Sequence, residues 1–234
     1  MKKVKTAMLG AVFLCSYASH AQDSTPQQQE IIDQVTKTST YPQYGGIFQL
    51  GMRTTTSLFG DAGYNGLGVG GQFRISFGKR MNSEWFSDLI TTNLANLGKR
   101  VDGHIGWSVM FYPWTTPKIV KPYLIAGHCF DFTKVTPYST LSDNRSDEIV
   151  KRWSSATQIG LGTHFLINRF ADISLSTQYM VHLGKSIHTE IDEHDGIKEL
   201  HVEEHAQGEL GLEGHLLITL SLNFRIAQLW KAKN

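Results

Sequence analysis

From Gly45 onward, apolar and polar residues alternate with a period of two. The clearest stretch places Leu216, Ile218, Leu220, Leu222, Phe224 and Ile226 on one face. Leu217, Thr219, Ser221, Asn223 and Arg225 share the other. Successive side chains of a β-strand point to opposite faces, so this pattern predicts a strand with one apolar and one polar side. Ile173, Leu175, Thr177, Tyr179, Val181 and Leu183 repeat it against Asp172, Ser174, Ser176, Gln178, Met180 and His182. Three further stretches, around 67–77, 101–112 and 153–167, do the same. In all, the pattern predicts eight strands: 45–55, 64–79, 84–95, 101–113, 119–133, 151–167, 170–194 and 197–227. The third and fifth alternate poorly.

The connections also alternate. Those at 78–83, 113–117 and 168–169 are short, whereas 56–65, 134–150 and the region after Leu183 are long. Only 96–100 is short on the long side. Short turns at one end and long loops at the other characterise transmembrane β-barrels. Alternation by itself also fits a soluble up-and-down barrel, whose apolar face would turn inward. Two features favour apolar-out. Arg53, Arg74, Asp102, Asp172 and Arg225 lie on the polar face, with Gly160 and Gly162, which suit a barrel whose interior has little room. Aromatic residues on the apolar face cluster near strand ends: Phe48, Phe77, Phe111, Phe165 and Phe224 at the short-turn end, Trp153 and Tyr179 at the other. Two such girdles are expected at the two membrane interfaces. The fold expected is all-β: an eight-stranded antiparallel up-and-down transmembrane barrel over 45–227.

The last two predicted strands meet at Asp195-Gly196, a strong two-residue hairpin signal. This turn sets Ile191 opposite Leu200, Glu190 opposite His201 and His188 opposite Glu203. Parity carried along the strands makes the His–acid face a continuation of the lumen face, in a long hairpin protruding beyond the membrane.

Composition sharpens this picture. Of 234 residues, 41% are hydrophobic and only 18% charged, against a usual quarter, and the net charge is +1. That balance argues against long disorder and against a nucleic-acid partner. No apolar run reaches the length of a membrane-spanning helix. Residues 1–21 read as a signal peptide: Lys2, Lys3 and Lys5 precede an apolar core, and Ser19-His20-Ala21 approximates a cleavage site. Residues 22–44 read as a periplasmic leader and 228–234 as a C-terminal tail. Removal of Lys2, Lys3 and Lys5 from the 22 basic residues leaves 19 against 21 acidic. Cys15 leaves with the signal, so Cys129 remains alone and no disulfide framework within the chain is available.

The segments HIGWSVMFYPW, KPYLIAGHCFDF, GLGTHFLINRFADISLSTQYM and LLITLSLNFRI resemble the small outer-membrane β-barrel domains of Gram-negative bacteria, the OmpA-like and OmpX-like barrels. The resemblance covers about 45–227. It implies an outer-membrane location, contact with membrane lipids and lipopolysaccharide, and a structural or surface-interaction role through the loops, with an extracellular or outer-membrane protein as partner. The chain departs from many such sequences in ending at Asn234 rather than on an aromatic residue.

Three groups of residues carry candidate chemistry. Arg53, Arg74 and Arg225 can pair with Asp102, Asp131 and Asp172 inside the barrel, because buried unpaired charge is very costly. The expected result is a lumen plugged by salt bridges; the alternative is a narrow solute path. His188, Glu190, His201, Glu203 and His205 form the densest histidine–carboxylate cluster, a ligand set suited to an adventitious divalent metal; no other cofactor is expected. His201-Val-Glu-Glu-His205 also matches a zinc-peptidase string that requires a helix, in a segment patterned as a strand. Finally, His182 and Ser186 share a strand face and keep a lipid A-modifying enzyme as an alternative, although the favoured reading is a non-enzyme.

Overall fold

The period-two stretches form strands, and the strands close on themselves. The protein, seen here in a computed structural model, is described over residues 45–58, 64–115, 119–138, 149–183, 187–194, 197–204 and 214–230. The signal segment 1–21 and the leader 22–44 lie outside the described residues. The chain divides into two units, Met1–Ser39 and Thr40–Asn234; the second holds every described element.

Eight strands build the barrel: β1 (Ile47–Leu58), β2 (Gly66–Ser76), β3 (Met81–Leu94), β4 (Gly98–Phe111), β5 (Val120–Pro137), β6 (Val150–Leu166), β7 (Ala171–Leu183) and β10 (Gly214–Gln228). Each pairs antiparallel with its neighbours, and β1 pairs with β10 to close the ring. Closure removes both sheet edges, so no backbone donor row faces lipid. At the seam the Leu229 N–H donates to the Gly46 carbonyl at 2.6 Å, and on the side facing β2 the Gly46 N–H donates to the Ser76 carbonyl at 2.5 Å. The barrel thus runs through Gln228, and the predicted tail begins inside it.

The apolar face points outward. Met52, Val69, Trp153 and Ile159 are two-thirds or more exposed (67, 69, 76 and 68%). In water this wall would be one continuous apolar patch far beyond what a soluble surface carries. Its stable surroundings are hydrocarbon. The expected girdles are present: Phe77, Phe111, Phe165 and Phe224 are exposed at the short-turn end, and Trp153 and Tyr179 at the loop end.

The tight β3–β4 turn, the exception in loop length, uses Ala95 and Asn96, both at positive φ (53° and 63°). The Leu97 N–H closes it on the Leu94 carbonyl at 2.8 Å. Two consecutive positive φ values match the right-handed twist of a hairpin. Asn96 tolerates that region and is steadied by the Asn93 side chain.

The seventh and eighth predicted strands each divide in two. β7 ends at Leu183 and β10 starts at Gly214, while β8 (Ile187–His194) and β9 (Ile197–Glu204) form a separate two-stranded sheet. Its register is the expected one, with Ile191 opposite Leu200 and His188 opposite Glu203. Cysteines at Ile191 and Leu200 are therefore expected to crosslink under mild oxidation faster than cysteines at Ile191 and Val202. Faster crosslinking of the second pair, read by gel mobility, would show a slipped register.

The face that the hairpin turns inward at its root differs from expectation. Ile187 is buried against Leu94 and Val135, with Tyr64, Val150 and Leu200 packed around them. Leu94 and Val135 are lumen-facing residues at the loop end, so the hairpin root sits in the barrel mouth with an apolar side inward. Gly98 makes room: a Cβ there would lie 2.6 Å from the Leu200 side chain. Parity carries only along a continuous strand, and β7 and β8 are not continuous.

Candidate functional site in the barrel lumen

Alternation sends every second residue of eight strands into one interior, which is just wide enough for side chains. These side chains are stacked in layers. In the half nearest the short turns, Arg74 is the hub and is about 1% exposed. Its Nε lies 2.6 Å from Glu84 Oε2, its Nη1 lies 3.4 Å from Asp172 Oδ1, and its Nη2 donates to Ser174 Oγ at 2.9 Å. Arg53 joins from the next level, with Nη1 3.3 Å from Glu84 Oε1 and Nε 3.0 Å from Asp88 Oδ1. Asp172 also accepts from Gln49 and Asn223, each at 2.9 Å, and faces His164 Nδ1 at 3.2 Å. The other ring nitrogen of His164 is 2.9 Å from the Tyr112 hydroxyl. Each buried carboxylate here has an arginine within 3.4 Å, and Asp172 has amide donors besides, the condition under which a desolvated charge is tolerated.

Above this lies an apolar layer of Phe86, Ile90, Cys129, Ala156, Met180 and Leu217. The Arg53 guanidinium stacks over Phe86, 4.5 Å from the ring centroid, which joins the two layers. A second polar layer follows. Asp131 is fully buried, 3.0 Å from Arg152 Nη2 and flanked by His104 Nε2 at 3.2 Å and His182 Nδ1 at 3.0 Å. Asp102 is held by Arg100 Nε at 3.0 Å and by the Thr133 hydroxyl, which donates at 2.8 Å. The hairpin root lies over this layer. The interior glycines have the expected use: a Cβ on Gly162 would strike the Tyr123 ring at 2.5 Å.

Of the residues singled out by sequence, Arg53, Arg74, Asp102, Asp131 and Asp172 are buried in the lumen. They fall into two clusters and do not pair with one another as expected, apart from Arg74 with Asp172. Arg225 is the correction. It is half-buried at the short-turn end and donates to Gln228 Oε1 at 3.0 Å, rather than joining an aspartate. The β1–β10 register shifts between Phe48 and Gln49, beside it, and Gln49, its register partner, takes the contact with Asp172.

The partners that complete the network are Glu84, Asp88, Arg100 and Arg152, with His104, His164 and His182. Arg152 was readable, because Trp153 outside implies its neighbour inside. Glu84 and Asp88 were hidden by Phe86 and Ile90 on the same inward face of β3, which made that strand look unpatterned.

The backbone register sets His188 opposite Glu203 and Glu190 opposite His201, while His205 lies outside the described residues. Residues 197–204 form a strand, so the helical spacing of a zinc peptidase is not available to His201. Among the described residues no group of three or more His, Cys, Asp or Glu side chains is arranged to hold a metal. Of the candidate enzyme pair, Ser186 lies outside the described residues. His182 is 2% exposed and turned to Asp131 in the lumen, away from the lipid-facing wall where an acyl chain would sit.

No known protein family and no curated protein matches the sequence. Solved structures match the fold. Neisserial surface protein A aligns with a TM-score of 0.53 at 12% identity, over 76% of this chain and 97% of that one. A major outer membrane protein from Thermus thermophilus aligns with a TM-score of 0.51 at 11% identity, over 76% and 99%. At this identity the likeness concerns architecture alone. The chain is a small eight-stranded β-barrel of the outer-membrane type.

Proposed function

We propose that this is an outer-membrane protein with a lumen closed to solutes and a structural or surface-interaction role carried by its outer face and loops. The observation that supports this reading is the layering of the interior. A solute moving along the axis would have to part the Arg53–Glu84–Arg74–Asp172 network, then the apolar layer around Phe86 and Met180, then the Asp131 cluster and the hairpin root. Each ion pair separated without replacement leaves buried charge behind. Purified protein in planar bilayers is therefore expected to show no discrete conductance steps in molar salt. Reproducible unitary steps would overturn the closed lumen.

The reading is that of a non-enzyme acting by contact, with an extracellular or outer-membrane protein as partner. A second reading concerns the β8–β9 hairpin. Its register brings two His–Glu pairs close together on one sheet, which favours capture of a divalent metal such as zinc. Zinc titration of the folded protein against a His188→Ala/His201→Ala variant tests it, and equal heats would exclude it.

A further inference from the structure

The outward face of the barrel is nearly free of charge. Among its described strand positions there is no aspartate or glutamate, and the charged residues are three lysines: Lys99, Lys134 and Lys151. All three stand on adjacent strands at the loop end. Lys134 and Lys151 are direct register partners, and Lys99 faces Thr136, one outward position from Lys134. Lys99 and Lys151 are exposed and Lys134 is half-buried.

Like charges directly opposite on a sheet repel, and among the described outward strand positions no carboxylate relieves them. Chance scatter would spread such residues around the ring and over both ends. Here they gather on three strands out of eight.

Their depth is also defined. One outward position below the Lys134–Lys151 pair, Phe132 pairs with Trp153, with ring centroids 4.8 Å apart. Trp153 is 76% exposed, and Phe130 below it is 64% exposed. Aromatic pairs of this kind mark the membrane interface, so the Lys134 and Lys151 backbone stands about 7 Å along the strand beyond it, at headgroup level.

We propose that Lys99, Lys134 and Lys151 form a binding site for the phosphates of an outer-leaflet lipid headgroup, the bis-phosphorylated lipid A class, with acyl chains lying on the Phe130, Phe132 and Trp153 surface. This rests on the outer-membrane reading above and adds the site and its ligand. Lysine binds phosphate as a point charge, and three on one face answer two phosphates. Among the described outward strand positions there is no arginine; those of the same three strands, Arg100 and Arg152, are committed to the lumen.

Native mass spectrometry of the folded protein in neutral micelles, titrated with lipid A, tests the site. Wild-type protein is expected to retain lipid A adducts. Lys99→Gln/Lys134→Gln/Lys151→Gln is expected to weaken retention on the order of a hundredfold. The corresponding triple Arg variant should retain it, and lipid A stripped of both phosphates should bind the wild type no better than the triple Gln variant binds intact lipid. Heat-modifiable gel mobility confirms that each variant is folded. Equal lipid A retention by wild type and the folded triple Gln variant would overturn the site. So would displacement by equimolar inorganic phosphate, which would assign the lysines to free anions. Either result would leave the closed, outer-membrane barrel standing, since that reading is tested separately, by conductance.

Discussion

Arg74→Met is expected to destabilise the barrel by about 3–5 kcal/mol, the usual loss when one member of a buried charge network is removed. Arg74 is the contact common to Glu84, Asp172 and Ser174. Without it Glu84 keeps only Arg53, at 3.3 Å, and Asp172 keeps two amides and the imidazole of His164. Urea unfolding in lipid vesicles, followed by the mobility of unboiled samples, measures the change. Adding Glu84→Gln to the variant should restore more than half of the loss, since it removes one orphaned charge. A single variant as stable as the wild type would mean that the network is not a structural unit.

Leu220→Arg should cost about 2–4 kcal/mol of folding free energy in the same vesicles, the depth-dependent penalty for Arg at a lipid-facing midplane site. Leu220 is 49% exposed on the outer wall in the middle of β10. Leu220→Phe at the same site is expected to fold normally. Normal folding of the Arg variant would show that this face does not meet lipid. From the sequence alone, Ser221→Arg looks like the mild counterpart, because Ser221 lies on the polar face. The packed lumen removes that contrast: Ser221 is 4% exposed and sits opposite Arg53. A second guanidinium there would meet the first, in a space already filled.

Period-two alternation was enough to place most of the barrel strands and their two faces, and the charges and glycines on the polar face, with the aromatic residues at the strand ends, gave the apolar-out sense. A pleated strand has only two sides, and lipid and lumen demand opposite chemistry from them. The Asp195-Gly196 step likewise determined the β8–β9 register, since a two-residue turn leaves no freedom in what pairs with what. What alternation could not supply was which interior charges meet. Arg53 was placed inside correctly, yet its partners Glu84 and Asp88 come from a strand whose inward face mixes Phe86 and Ile90 with acids. Ring closure and strand stagger set the heights at which side chains meet across the lumen, and neither is written in any single strand. The same holds for the hairpin. Ile187 belongs by parity to the outer wall, but β7 ends at Leu183 and Ile187 packs on Leu94 and Val135 in the barrel mouth. Local pattern decided which side of each strand is apolar; only the closed ring decided what each buried side chain touches.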